Sequence, residues 1–297
     1  MKKRVLVLGG AGMLGHKIVQ VCRERFDVWA TFRSDADRYA SLGLIAGDRI
    51  VSEVDAVRFE TVEQALRTVR PDVVVNCIGV VKQLKEGHDP IISIGINALF
   101  PHRVAAVCAE IGARMIHVST DCVFSGHKGM YRETDPPDPE DLYGRSKLLG
   151  EVSGDHALTL RTSIIGRELR STTGLVEWFL SNRGGSVNGF VEAIYSGLTT
   201  LALSSLIGDL IASHETLSGL WQVSGEPINK YDLLVLLDRA FEADVMIRRS
   251  TELRIDRSLD STRFRQATDW QPSSWSDMLT AMANDPTPYE LWRHSWT

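Results

Sequence analysis

Short, almost wholly apolar runs recur through the first part of the chain, separated by stretches whose apolar positions return every three or four residues. Val5–Leu8 is the first run, followed by glycines and a helical stretch from about Met13 to Glu24. Val28–Phe32 reads as a second strand, and Asp55–Phe59 as a shorter one that leads into a helix with Thr61 and Gln64 at capping-box spacing. Asp72–Ile78 is nearly all apolar, as expected of a strand covered on both faces. Ile92–Ile111 reads as helical, with Pro101 starting a new segment or bending it. Arg114–Ser119 and Leu158–Ile165 complete the series of strands. Continuous apolar strands alternating with amphipathic helices predict an α/β fold, a Rossmann-type doubly wound parallel sheet.

From about Gly166 the pattern becomes irregular, with a strand at Leu220–Val223 and a helix at Lys230–Phe241. We therefore expect a dinucleotide-binding domain over residues 1–165 and a smaller α/β substrate region over 166–297. A return segment near 199–224 joins the first domain, so that the two are partly interleaved. The chain's 297 residues are ample for this. The stretch Glu133–Asp141 holds three prolines and five acids; it is either a solvated loop or the rim of a site.

Composition narrows the function classes. Net charge is −5, and no basic stripe precedes residue 245, which argues against a nucleic-acid partner. Cys22, Cys77, Cys108 and Cys122 share no close spacing, and the eight histidines form no paired motif. The expectation is a cytoplasmic protein with no disulfide framework and no protein-built metal site. MKKR before VLVLGGAGMLG imitates a secretory signal, but glycines interrupt the apolar run, and no uninterrupted run reaches the length of a membrane span.

Gly9, Gly12 and Gly15 lie at three-residue intervals after the first strand, and Gly10 opens a G-x-G-x-x-G. Such a turn lets backbone approach a pyrophosphate at the N-terminus of the following helix. After the second strand the chain reads Ala30-Thr31-Phe32-Arg33-Ser34, with no acid before Asp35. An acid there would serve a ribose 2′-hydroxyl; Arg33, helped by Ser34, suits a 2′-phosphate, so NADP(H) is favoured over NAD(H) unless Arg33 simply faces solvent. Ser119-Thr120-Asp121 follows a strand at the carboxyl edge, where hydroxyls can bond a substrate carbonyl or form a simple ST-turn.

Of the six tyrosines, only Tyr143 has a lysine, Lys147, four residues on. On a helix the two share a face. An ammonium roughly 5 Å from a phenolate contributes about 3 kcal/mol at an effective dielectric near 20, enough to lower the phenol by about two pKa units. The pair therefore predicts a general acid. Asn97, a poor helix former, either satisfies backbone near a bend or relays protons to Lys147 through water.

Glycine turn, Ser/Thr after a later strand, and Tyr-x-x-x-Lys together resemble the extended short-chain dehydrogenase/reductase superfamily. Within it, GGAGMLG, RPDVVVNCIG, STDCVFSG, YGRSKLLGE and LRTSIIG are most similar to the dTDP-4-dehydrorhamnose reductase family. The resemblance is firm over residues 3–165 and continues weakly through Gly197-Leu198-Thr199 and GLWQVSG. It implies a catalytic set of Thr120, Tyr143 and Lys147. It places Gly9, Gly12, Met13, Leu14 and Gly15 at the cofactor diphosphate, Arg33 and Ser34 at the 2′-phosphate, and Asp55 and Ala56 near the adenine. Cys77, Ile78 and Gly79 would run along the cofactor, with Ser119, Tyr143 and Lys147 also touching it and Ser163 near the nicotinamide. Asp121, Cys122, Arg254 and Arg257 would meet the substrate.

Two departures bear on substrate. The family usually has Tyr after Ser-Thr-Asp, where this chain has Cys122, and its Arg-Pro-x-x-Ser segment appears as Arg254-Ile255-Asp256-Arg257-Ser258. Arg248, Arg249, Arg254 and Arg257 either engage a nucleotide diphosphate or form a surface cluster. The implied activity is NADPH-dependent reduction of a keto group, at C4, on a nucleotide-activated deoxysugar, by a monomer or homodimer. The alternatives are an epimerase or dehydratase of the same superfamily, or a non-catalytic NADP-binding role like that of the regulatory beta subunit of methionine adenosyltransferase. A dehydratase would want a second acid after Asp121, and Cys122 is not one.

Overall fold

The computed structural model describes residues 1–34 and 36–294; Asp35 lies outside the described residues. The strands are β1 (Arg4–Leu8), β2 (Asp27–Thr31), β3 (Ile50–Val51), β4 (Val73–Asn76), β5 (Arg114–Thr120), β6 (Ala157–Thr162), β7 (Ile164–Ile165), β8 (Ser186–Tyr195), β9 (Leu198–Thr199), β10 (Gly219–Gln222), β11 (Ile228–Asn229) and β12 (Met246–Asp256). The helices are α1 (Gly15–Cys22), α2 (Ala36–Ser41), α3 (Phe59–Val69), α4 (Pro90–Ser93), α5 (Phe100–Ile111), α6 (Leu142–Leu149), α7 (Leu175–Leu180), α8 (Thr200–Ser213), α9 (Lys230–Phe241), α10 (Thr262–Thr268), α11 (Trp275–Ala283) and α12 (Tyr289–His294). Two compact units result. The first comprises Met1–Val123, Pro139–Arg161 and Ser204–Trp221; the second comprises Phe124–Asp138, Thr162–Leu203 and Gln222–Thr297.

The first unit carries a seven-stranded sheet in the order β10-β6-β5-β4-β1-β2-β3. β1 pairs in parallel with both β2 and β4, β2 with β3, and β4 with β5. This is the Rossmann-type α/β sheet expected from the apolar runs. Val5 to Leu8 and Val73 to Asn76 are buried throughout, because helices cover both faces. Chain order reverses across β1, so the loops after β1 and β4 diverge and leave a crevice at the carboxyl edge, the usual ligand position in open α/β sheets.

One core cluster lies under α3 and α5, where Leu6, Leu66, Val74, Val104 and Met115 are fully buried. Residues 90–111 form a stretch long and apolar enough to cross a membrane by length and composition, yet half of it is buried within the fold. It is not uniform: α4 passes through a π-helical turn at Ile94–Leu99 before α5, with Pro101 in the first turn of α5. Pro101 thus starts a segment at a position where its missing N–H costs little.

Two readings of local structure are corrected. The third strand is Ile50–Val51, and Asp55–Phe59 is a turn. The Asp55 carboxylate accepts the Val57 N–H at 3.0 Å, which curls the chain, and Phe59 becomes the first residue of α3, packed edge-on against Phe100 at 5.9 Å. Thr61 is consequently inside the helix, where its hydroxyl accepts the Asp55 N–H at 2.9 Å and donates back to the Arg58 carbonyl at 2.8 Å. The run Leu158–Ile165 also divides: β6 ends at Thr162, and Ile164–Ile165 pairs in parallel with Leu198–Thr199.

The second unit contains a three-stranded sheet, β11-β8-β12, with β8 parallel to β12 and antiparallel to β11. The Glu133–Asp141 acids are mostly used for folding. Asp135 takes Lys128 and the Arg132 N–H, Asp138 takes the Ser125 N–H and hydroxyl at 2.8 and 2.6 Å, and Glu133 takes the Gln222 N–H at 3.0 Å.

Candidate active site

The glycine turn closes against the end of β2. Gly9 has φ +86° and donates its N–H to the Thr31 hydroxyl at 3.0 Å, while Gly10 donates to the Thr31 carbonyl at 3.0 Å. A Cβ on Gly15 would stand 2.1 Å from the Gly9 carbonyl oxygen, so α1 begins closer to β1 than any side chain permits. No side chain caps α1 at Leu14. Backbone N–H groups at that end are therefore offered to a ligand, and the residues present fit a dinucleotide diphosphate. Gly15→Ala should cost about 1–3 kcal/mol of strain. Titration of NADPH fluorescence should show weakened binding, and wild-type affinity would refute the assignment.

Ile78 lies directly over this turn, its Cγ1 3.0 Å from where a Gly9 Cβ would be. The Cys77–Gly79 loop is fixed from beneath by Asn76, whose Oδ1 accepts the Ile78 N–H at 3.0 Å and whose Nδ2 bonds His117 Nδ1 at 3.1 Å. Burial pushes the Cys77 thiol up to about 12, so it is no nucleophile near neutral pH. Arg33 and Ser34 are exposed just beyond β2, on the strand that also bonds the glycine turn. Asp55 organises its own turn, and Ala56 lines an apolar groove of about 220 Å³ with Phe59 and Phe100.

Asn97 sits in the π-helical turn. Its Oδ1 accepts the Val80 N–H at 2.9 Å, and its Nδ2 donates to the Val80 carbonyl at 2.8 Å and the Ser146 hydroxyl at 3.2 Å. Those bonds make it a clasp between the loop after β4 and α6, which is the structural alternative.

Tyr143 and Lys147 both lie on α6, whose N-terminus is capped by Asp141 accepting the Gly144 N–H at 2.7 Å. Gly144 matters for another reason: a Cβ there would come within 2.2 Å of the Cys122 carbonyl. Only glycine lets α6 press this closely on the end of β5, bringing Tyr143 to Thr120. The Thr120 hydroxyl accepts the Cys122 N–H at 3.1 Å, completing an ST-turn, and donates to Asp121 at 3.2 Å; Thr120 also stands close enough to the Tyr143 phenol to oppose its upward shift. The bland reading of the Ser-Thr-Asp segment, an ST-turn, is thus present at Thr120. Ser119, the preceding strand residue, faces the other way; its hydroxyl donates to Glu151 at 2.8 Å.

The expected acidification of the phenol is not what the geometry gives. Lys147 Nζ is buried and donates to the Val118 carbonyl at 2.7 Å. Burial pushes the Tyr143 phenol up, with Cys122, Asp121 and Asp141 adding repulsion and Thr120 opposing. Desolvation of the anion outweighs the spacing argument. Lys147 is itself drawn down to about 8 by burial, partly offset by Glu151 and Cys77. His117, on the same strand, is held well below its ordinary value by burial and by Lys147.

Three further predicted residues belong to the second unit. Ser163 lies between β6 and β7. Arg254 is exposed, pairs with Glu192 at 3.7 Å, and lines a cavity of about 570 Å³ with His127, Lys128, Glu192 and Asp256. Arg257 donates Nε to the Phe124 carbonyl at 2.9 Å, and Arg249 stacks over Tyr231 at 4.5 Å. Residues 2–175 match the family model for the RmlD substrate binding domain.

The chain belongs to that RmlD family.

Its motifs and fold place it among dTDP-4-dehydrorhamnose-reductase-like members of the extended short-chain dehydrogenase/reductase superfamily. It is 33% identical over 185 residues to a probable low-salt glycan biosynthesis reductase of Haloferax volcanii, covering 59% of each chain. A hypothetical dTDP-4-dehydrorhamnose reductase from Sulfolobus tokodaii is 28% identical with a TM-score of 0.76, over 92% of this chain and 98% of that one. A dTDP-4-dehydrorhamnose reductase from Bacillus anthracis, solved with NADP, has a TM-score of 0.77 at 21% identity, over 95% and 99% of the two chains; at that identity the likeness is one of fold. The stretch matched spans only about half the length of the curated relatives, 59% of the first and 44% of the next.

Sequence reasoning passed over Glu151, Arg161, His117, Asn76 and Gly144. For Glu151 a signal was present: an acid four residues beyond Lys147, at helical spacing.

Proposed function

We propose that this chain binds a nicotinamide dinucleotide, NADPH in preference to NADH, and reduces a keto group, at C4, on a nucleotide-activated deoxysugar. The observation that carries this reading is the convergence of Thr120, Tyr143 and Lys147 at the end of β5 and on α6, in the same unit as an uncapped glycine turn. Gly9, Gly12, Met13, Leu14 and Gly15 would hold the diphosphate. The bound dinucleotide would supply the hydride.

The protein's residues handle the oxygen. Thr120 and Tyr143 direct hydroxyls at the carbonyl, stabilising the charge that develops there. Because burial pushes its phenol up, Tyr143 stays protonated through the neutral range and is in the form needed to give a proton. Lys147, drawn down to about 8, keeps most of its charge at neutral pH, and that charge stabilises the phenolate left behind. Asp121 and Cys122 are our assignment for contacts to the sugar, and Arg254 and Arg257 for its phosphates. The cytoplasm is the proposed location.

The test is incubation with NADPH and a panel of dTDP-, UDP- and GDP-linked 4-keto sugars, following loss of nicotinamide absorbance. Loss with at least one sugar is expected. No loss with any of them sinks the reading, and sugar conversion without net nicotinamide change would identify an epimerase instead. Arg33→Ala checks the cofactor preference: removing charge-assisted hydrogen bonds to a 2′-phosphate should cost about 1.5–3 kcal/mol of NADPH binding. NADH binding should hardly change, and equal losses for both would refute the preference.

A further inference from the structure

Three consecutive residues at the end of β5 are each tied to α6 or the residues just beyond it. The Val118 carbonyl accepts Lys147 Nζ at 2.7 Å, the Ser119 hydroxyl donates to Glu151 Oε1 at 2.8 Å, and Thr120 meets Tyr143. Glu151 follows Lys147 by one helical turn, its N–H still bonded to the Leu148 carbonyl at 3.2 Å. Its carboxylate is held from the other side by Arg161, which donates Nε to Oε1 and Nη2 to Oε2, both at 2.7 Å. The two side chains are 10% and 4% exposed, and Arg161 lies on β6, whose residues are all buried.

We propose that Glu151 is a positioning residue of the reduction site, its carboxylate locking the end of β5 to α6 and holding positive charge on Lys147. A buried carboxylate–guanidinium pair seldom stabilises a fold more than apolar packing would. This one also fixes a planar, two-pronged orientation. That orientation leaves Oε1 shared with the residue next to Thr120. Besides Tyr143 on its own helix face, the titratable groups that act on Lys147 through charge are Glu151 beyond α6, Cys77 from the loop after β4, and His117 on β5. Burial keeps the Cys77 thiol protonated and His117 neutral at neutral pH, so of these three Glu151 alone supplies negative charge. Arg161, on β6, and Ser119, on β5, are the groups facing Glu151 itself. The inference rests on the reductase reading above, since it is the charge on Lys147 that the proton transfer needs.

Glu151→Gln keeps the size and an acceptor for Ser119 but removes the charge. Lysine 13Cε NMR titration, with the Lys147 signal assigned through Lys147→Met, should show its midpoint lowered by about one unit, a ten-fold loss of proton affinity. The alkaline limb of kcat on the best keto-sugar should move down with it. Glu177→Ala, a buried-acid change in the second unit, should lose comparable stability without moving either midpoint. If Glu151→Gln does not fold, Glu151→Gln with Arg161→Met removes the orphaned guanidinium, and the lowered midpoint should persist. A Lys147 midpoint equal to that of the unaltered protein in either folded variant overturns the proposal. Absence of turnover in the unaltered protein sinks the reductase reading instead, while the NMR midpoint still decides whether Glu151 holds the charge.

Discussion

Replacing Tyr143 with phenylalanine should lower kcat for keto-sugar reduction by about 10²–10⁴-fold, the usual worth of a positioned general acid. The substitution deletes one oxygen and leaves the ring. Helix α6 keeps its Asp141 cap and its close approach to Cys122 at Gly144, so Thr120 and Lys147 should stay in place. NADPH affinity and thermal stability should therefore be nearly unchanged, which separates loss of the proton donor from loss of the fold. The hydroxyl of Thr120, proposed above to meet the carbonyl, is untouched by this change, so residual turnover above background is expected. Steady-state kinetics with the sugar identified in the panel decides the matter. Near-normal kcat in Tyr143→Phe would remove the phenol from the mechanism, whatever the geometry suggests.

How far the sequence carried these conclusions depends on whether a feature is local. The strands β1 and β4 are almost continuous apolar runs, and burial on both faces leaves such runs few alternatives. The glycine turn was equally legible, since the reason for Gly15 lies six residues away at the Gly9 carbonyl. Asp55–Phe59 misled because Val57 and Phe59 look like alternating strand positions, while the Asp55 carboxylate turns the chain. The second unit was hardest. β12 is largely exposed and carries Arg248, Arg249 and Arg254, so its polarity read as a charge cluster; charged residues are a normal way of guarding an exposed strand. Within the site, the Tyr143–Lys147 spacing was visible, but the electrostatics were not. Spacing says that two groups share a helix face; it does not say that Lys147 will turn to Val118, or that burial will govern the phenol. The Glu151–Arg161 pair joins the end of α6 to β6, a contact that no periodicity encodes.

The largest stability effect is expected in the second unit, where Glu177→Ala should destabilise by about 3–5 kcal/mol, the range for orphaning a buried charge. Glu177 is 3% exposed and sits at the centre of a charged cluster. It accepts Arg167 Nε at 2.7 Å and the Glu168 N–H at 3.1 Å, and it pairs with Arg293. Arg167 is 8% exposed. Its other carboxylate partner, Glu290, has a side chain 69% exposed, so that interaction is screened by water and compensates little. With Glu177 gone, Arg167 would keep its stacking over Tyr289 at 4.7 Å, but its charge would face a largely dry surround. Tyr289, Glu290 and Arg293 all lie on α12, so that helix should lose its anchorage first. Urea unfolding should show the lost stability as a lower midpoint, and hydrogen exchange should rise over 289–294 before it rises over β8. Adding Arg167→Met should recover most of the loss, because it removes the stranded charge rather than restoring a bond. A loss below about 1 kcal/mol would place Glu177 with surface ion pairs, whose worth is of that order, and would mean that water reaches the Arg167 guanidinium in solution.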